Sequence, residues 1–205
     1  MIPSSAWGDS LNRRFAIVGN RTPSRGKLNL NDLPGDGGRM DVLVRAINSA
    51  LFISHGIRKN SQIVVHLMGG GLPRRVFFDG CELRGVRPDE RSIAGHFKSL
   101  MKTPIPPVGH FTEVSKGIRQ SGGDIFQTLK EWNLEGINCY ALDANGSSFE
   151  SVELVGKCGF ILSDDLELEL GDAEIPIGSL SLGGTWLQGH SCISVMHHIL
   201  DSQIQ

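Results

Sequence analysis

The segment SQIVVHLM, Ser61–Met68, is apolar at nearly every position. A strand of that kind has to be covered on both faces, which an interior strand of a parallel sheet achieves. Similar short runs recur along the chain: RFAIVG (Arg14–Gly19), Phe111–Val114, INCYAL (Ile137–Leu142), GFIL (Gly159–Leu162) and Ile177–Leu182. Between them the apolar residues change period. From Met40 to His55 they fall at Val42, Leu43, Ala46, Ile47, Ala50, Leu51 and Ile53, the spacing of a buried helix face, and Gly56 ends it. Pro88-Asp89-Glu90-Arg91 opens a second helix reaching Met101, with acidic residues in its first turn. Gly123–Trp132 and His190–Leu200 read as two more, and Val76–Phe78 with Glu82–Gly85 as a short hairpin. Alternation of this sort predicts an α/β fold with a mostly parallel sheet flanked by helices.

Ligands in such folds lie beyond the carboxyl ends of the strands. Three strand ends run into loops in the second half: Leu142-Asp143, Ser163-Asp164 and Gly183-Gly184. The third belongs to SLGGTWLQGHSC, Ser181–Cys192. Adjacent glycines let the backbone come close to a ligand, and Trp186 and Leu187 offer apolar cover beside it. Arg21–Gly38 is too long to be a mere connection and is read as a functional or disordered loop.

Charge divides the chain. Residues 1–102 hold sixteen Lys/Arg against eight Asp/Glu, whereas residues 103–205 hold four against fourteen. A basic half and an acidic half point to a polyanion docking on one side; salt bridges between the halves are the alternative. The 205 residues are expected to form one domain, with a basic N-terminal half and a ligand-binding C-terminal half that share one sheet. No apolar run approaches a membrane span, and Met1–Arg14 lacks the apolar core of a secretion signal. Residues 1–12 are expected to form a loose terminus. Four scattered cysteines without a C-x-x-C pair fit a reducing cytoplasm. No histidine spacing suggests a metal, and neither a phosphate loop, a G-x-G-x-x-G nor a G-x-S-x-G elbow is present. Cys192 has no nameable base and reads as a packing residue.

Three segments resemble a known family. Leu30–Arg58 (LNDLPGDGGRMDVLVRAINSALFISHGIR), Gly80–Met101 (GCELRGVRPDERSIAGHFKSLM) and Ser181–Cys192 followed by Leu200-Asp201 are similar to the signatures of the archaeal tRNA pseudouridine-54 N1-methyltransferases. The resemblance spans Phe15 to Asp201. It implies the SPOUT fold, in which the C-terminal segment threads a trefoil knot and binds S-adenosylmethionine, and a homodimer with sites near the subunit interface. True knots are very rare, and periodicity carries no sign of one. Position by position, the resemblance assigns cofactor contacts to Leu142, Ser163, Leu182, Gly183, Gly184, Thr185, Trp186, Leu187 and Cys192. Three of these depart from the family pattern: Ser163 replaces a glycine, Gly184 a proline, and Trp186 a serine.

The activity so implied is transfer of a methyl group to N1 of pseudouridine 54 in the T-loop of tRNA. Pseudouridine N1 carries a hydrogen, so a carboxylate to take the proton and an arginine to stabilise the uracil anion are expected. Asp89 with Arg91 and Arg39 with Asp41 are the candidate pairs; a structural role as helix cap or loop tie is the alternative. At least one carboxylate among Asp36, Asp41, Asp89 and Glu90 is expected to matter. Arg39, Arg45, Arg58, Lys59, Arg84, Arg87 and Arg91 are candidate phosphate contacts, with Arg45 equally suited to a subunit interface. A related enzyme acting on pseudouridine in ribosomal RNA, and a non-catalytic RNA-binding assembly factor, are the competing readings.

Overall fold

The computed structural model describes residues 13–154, 156–171 and 173–203; the expectation for residues 1–12 lies outside them. An eight-stranded sheet runs through both halves of the chain. Its strands are β1 (Arg13–Pro23), β4 (Ser61–Gly69), β5 (Arg74–Asp79), β6 (Thr112–Ser115), β7 (Ile118–Gly122), β8 (Asn138–Ser148), β9 (Cys158–Ser163) and β10 (Gly178–Ser181), in the order β10-β8-β9-β1-β4-β5-β7-β6. The ladders from β10 to β4 are parallel, and those from β4 to β6 antiparallel. The helices are α1 (Met40–Leu51), α2 (Glu90–Leu100), α3 (Ile125–Leu134) and α4 (Gly189–Ser202).

Side-chain alternation explains why the central strands are apolar throughout. Phe15 and Ile17 of β1, Ile63, Val65 and Leu67 of β4, and Phe160 and Leu162 of β9 share one core with α1, α2 and α4. Ala16, Val18, Val64 and Ile161, on the opposite face, pack against Ile125, Leu129 and Trp132 of α3. Each strand thus serves two cores with period two. Gly159 is the point of closest approach: a Cβ there would lie 2.5 Å from ring carbons of Trp132.

Two local expectations are corrected. The first helix stops at Leu51, four residues before His55, because Phe52–Ile53 (β2) turns back against Gly56–Ile57 (β3) as a two-stranded ribbon. Glu82–Gly85 is a turn and no hairpin arm. The N–H groups of Glu82 and Leu83 bond the Asp79 carbonyl at 3.2 and 2.8 Å, and the Asp79 side chain accepts from the Cys81 N–H at 2.9 Å. That Asp-led turn uses the groups a strand needs, and β5 pairs instead with β4 and β7.

The last helix is clamped at its far end. Asp201 takes Arg58 through two bonds of 3.0 Å and Arg13 at 2.8 Å. Arg13 can only donate, so its 3.0 Å contact makes Nδ1 of His197 the acceptor and leaves Nε2–H to donate to the Ala50 carbonyl at 3.0 Å.

Candidate active site

Three strand ends meet around one cavity. Along the β8–β10 ladder Ser179 faces Ala141 but Leu180 faces Ser147, so residues 142–146 leave the ladder and arch over the carboxyl end of the sheet. The Ser181 hydroxyl donates to the Ala144 carbonyl at 3.0 Å, tying that arch to β10. After β9, the Asp164 carboxylate accepts the backbone N–H of Asn20 at 2.7 Å and its side-chain amide at 2.9 Å, while the Asp164 N–H donates to the Val18 carbonyl at 2.9 Å. Those bonds fix the Ser163–Asp165 loop to the end of β1. After β10, Gly183 sits at φ +123°, a conformation that a side chain would strain.

The cavity between the loops holds about 540 Å³, within the range of small-molecule sites. Leu142, Leu162, Leu180, Leu182 and Leu187 form apolar walls, and Asp143, Asp164, Asp165 and Glu167 bring carboxylates. Of the nine residues expected to contact a cofactor, eight line it: Leu142, Ser163, Leu182, Gly183, Thr185, Trp186, Leu187 and Cys192. Gly184 stands in the same loop without forming wall. The Cys192 thiol donates to the Leu187 carbonyl at 3.7 Å, and burial pushes its pKa up. A neutral thiol of that kind packs and does not attack. A larger groove of about 860 Å³ runs along α3 and residues 105–108, but none of the three strand-end loops lines it.

Beside the cavity runs a chain of ion pairs. Asp165, on the wall, accepts Arg39 at 3.0 Å and Arg21 at 3.3 Å. Arg39 also binds Asp41 at 3.1 Å. Asp41 in turn pairs with Arg45, one helical turn along α1, and Arg45 approaches Glu90 at 3.8 Å. Arg39 has the one positive φ (68°) of any non-glycine among the described residues. Holding it there costs on the order of 1–2 kcal/mol, and such strain concentrates at functional sites. The expected pair Arg39–Asp41 is therefore joined through Asp165 to the cavity. Asp165 itself escaped the sequence reading. Its signal was the Ser-Asp-Asp run closing a strand, but its partners lie 126 and 144 residues away.

The second expected pair stands farther out. The Asp89 carboxylate caps α2 by accepting the Ser92 N–H at 2.7 Å, and Arg91 donates to Asn31 at 3.0 Å. Asp36 accepts from the Asn29 amide at 3.1 Å. Arg58 is held by Asp201, Lys59 donates to the Gly80 carbonyl at 3.3 Å, and Arg84 to the Leu83 carbonyl at 2.8 Å. Arg58 and Lys59 precede β4 and so sit at the amino end of the parallel strands, away from the cavity; Arg84 stands at that end too, because Asp79, the last residue of β5, pairs with Gln62 of β4. Arg87 is exposed. Six arginines of the basic half (Arg13, Arg14, Arg21, Arg39, Arg58 and Arg75) pair with carboxylates of the acidic half. Part of the charge asymmetry is thus neutralised inside the molecule.

Sheet, cavity and rim together define an α/β protein with a cavity of small-molecule size at the carboxyl ends of its strands, beside arginines suited to an anionic partner. Comparison with known proteins narrows the class. A family model described as "Putative SAM-dependent RNA methyltransferase" matches residues 12–204. The tRNA (pseudouridine(54)-N(1))-methyltransferase of Methanocella arvoryzae is 36% identical over 160 residues, covering 76% of this chain and 79% of that protein. Those of Methanococcus maripaludis (34%, 92% of this chain and 98% of the relative) and Methanocaldococcus jannaschii (32%, 93% and 97%) match over nearly their whole lengths. The fold is similar to that of Archaeoglobus fulgidus Nep1 bound to S-adenosylhomocysteine, at a TM-score of 0.62 and 11% identity, over 94% of this chain and 98% of that one. The chain belongs to this family of S-adenosylmethionine-dependent RNA methyltransferases.

Proposed function

We propose that this protein transfers a methyl group from S-adenosylmethionine to N1 of pseudouridine 54 in the T-loop of tRNA. The observation that carries the reading is the convergence of residues 142–145, 163–168 and 182–189 on one cavity, in a chain whose relatives bear that name. The cavity fits the cofactor chemically. Its leucines suit the adenine and methylene surfaces, its carboxylates suit an ammonium or ribose hydroxyls, and the open backbone at Gly183 and Gly184 leaves room for close approach. Leu142, Ser163, Leu182, Gly183, Gly184, Thr185, Leu187 and Cys192 would hold it. When bound, it supplies an electrophilic methyl group on a sulfonium.

The chain's own residues have two tasks. One is to hold the uracil ring in line with that methyl group. The other is to take the N1 proton and offset the negative charge that its loss leaves on the ring. Arg39 is the best placed for the second part, because Asp165 anchors it at the cavity wall and Asp41 orients its guanidinium. Asp41, nearly buried between two arginines, positions them. Glu90 and Asp89 of α2, with Arg91, are the outer carboxylates from which the proton acceptor is drawn, and Asp36 completes the set. Arg45, Arg84 and Arg87 would contact phosphates.

We further infer that the segment from β10 into α4 threads the trefoil knot of a SPOUT fold. Supporting this, Leu168, Leu170, Ala173, Ile175 and Ile177 pack on the α3 side of the sheet before β10, and α4 then packs on the opposite face. A homodimer and a cytoplasmic setting belong to the same reading; no helix among the described residues is long and apolar enough to cross a membrane. Tritium from methyl-labelled donor is expected to enter tRNA carrying pseudouridine at position 54 and not the same tRNA carrying uridine there. Equal labelling of both, or of neither, would contradict the reading. Undiminished transfer in all four alanine variants of Asp36, Asp41, Asp89 and Glu90 would exclude these carboxylates as the base.

A further inference from the structure

Trp186 stands on the cavity wall with 74% of its surface exposed. Among the described residues, Phe111 is the other exposed aromatic. It has partners in the fold: its ring meets Phe77 edge-on at 4.8 Å and lies under Arg75 and Arg119. Trp186 has neither a ring nor a guanidinium partner among the described residues. Its neighbours Leu187 and Leu166, 40% and 41% exposed, are also cavity residues. Three large apolar side chains are therefore left in water around one opening. The fold gains nothing from an indole placed there, whereas burying an indole against a partner gains several kcal/mol by area alone, on the order of 25 cal/mol per Å².

The same cavity also supplies what a nucleic acid needs: Asp165, next to Leu166 in the chain, lines it too. Asp165 holds the guanidinium groups of Arg21 and Arg39 at the rim. Arg21 keeps more than half of its side chain exposed. An aromatic face and basic forks around one opening suit unstacked bases: the ring takes the π-face and the arginines take the phosphates or carbonyls. The reaction adds a constraint. A base modified at a ring nitrogen has to leave its stack and be held rigidly at the mouth of the donor cavity. The lost stacking must be replaced by something flat at that mouth, and Trp186 is the flat group there. Gly183 and Gly184, which lack the Cβ that would restrict them, let the loop carry the indole to meet the ring.

We propose that Trp186 is the stacking platform for the acceptor base of the RNA substrate, and that it acts on RNA binding and not on cofactor binding. The proposal rests on the methyltransferase reading above and narrows it, giving the cavity mouth an apolar, base-binding side and an arginine side.

Trp186→Ala and Trp186→Phe test this, with three readouts: binding of a T-arm RNA hairpin, calorimetric affinity for S-adenosylhomocysteine, and oligomeric mass by light scattering. Loss of one base–aromatic stack is worth roughly 5- to 140-fold in affinity, the equivalent of about 1–3 kcal/mol. W186A is expected to weaken RNA binding within that range, with cofactor affinity unchanged within about twofold and mass unaltered; W186F is expected to recover most of the loss. Tryptophan emission of a Trp7→Phe protein should be quenched by the hairpin, and the quenching should disappear when W186F is added. The other described tryptophan, Trp132, is buried. Three outcomes would overturn the proposal: RNA affinity intact in W186A, cofactor affinity or oligomeric mass falling along with RNA affinity, or quenching that persists in the protein carrying both Trp7→Phe and W186F. Failure of methyl transfer in the wild-type protein would count against the proposed function, and the binding readouts would still decide the role of Trp186.

Discussion

Single residues carry unusual electrostatic burdens in this fold. His66 lies in the middle of β4, fully buried, and neither ring nitrogen has a hydrogen-bond partner among the described residues. Burial first, and then the charge of Arg75, push its pKa down to about 3. His197 is held at about 3 as well, by burial and then by Arg58 and Arg13. Both are neutral in the fold, so below about pH 6.5 the unfolded chain takes up protons that the folded chain refuses. Stability is therefore lost as pH falls from about 6.5 towards 3, by at most about 2 kcal/mol per histidine by pH 5. Urea unfolding at pH 7.5 and pH 5 should show this loss, and His66→Leu should flatten the slope while leaving pH 7.5 stability unchanged or raised, because it removes unpaired polar atoms from the core. An unchanged slope in that variant would mean His66 is charged or solvated in the fold. None of this is legible in the sequence, where His66 is one polar letter in an apolar run.

At the scale of elements, α4 links the cavity to the base of the sheet. Its first turn holds Cys192 on the cavity wall, and its last turn holds Asp201 against Arg13 and Arg58. Asp201→Ala leaves the guanidinium of Arg13, which is shielded from solvent, without its carboxylate. Such a loss costs 3–5 kcal/mol in a dry site, but Asp201 is itself 44% exposed, so about 1–3 kcal/mol is expected. Thermal unfolding should fall by several degrees, and cofactor affinity should fall as the helix end loosens. A variant of native stability would show that the clamp is ornamental. The elements were largely readable in advance, since continuous apolar runs and a 3.6-residue period are strong signals. The strand order was not. That β10 lies beyond β8, and that β5 turns antiparallel beside β4, depends on contacts between distant segments. The misread stretch after β5 failed for a local reason: an Asp carboxylate organised a turn from residues with ordinary strand propensity.

Taken as a whole, the molecule neutralises much of its charge asymmetry internally. Sixteen cations in the first half would, if all met phosphates, give a salt slope of roughly −14 in log Kobs against log salt. Six of them are paired with carboxylates of the second half, so a slope no steeper than about −9 is expected for tRNA. Arg84→Ala with Arg87→Ala should bring it nearer zero by about 1–2, whereas Arg58→Ala, whose side chain is committed to Asp201, should leave it unchanged. The reverse ranking would contradict the assignment of Arg84 and Arg87 as phosphate contacts. The three-loop cavity was legible because strand-end loops in an α/β sheet converge by topology; the Arg39–Asp165 link across it was not, because no sequence pattern encodes an ion pair between such distant residues. The measurement that bears most directly on the account is the mass of the T-loop fragment after tRNA containing pseudouridine 54 has been incubated with the protein and S-adenosylmethionine, digested and fragmented. One added methyl group is expected, on N1 of the base at position 54. No mass gain in that fragment, or a methyl group on another atom or nucleoside, would contradict it.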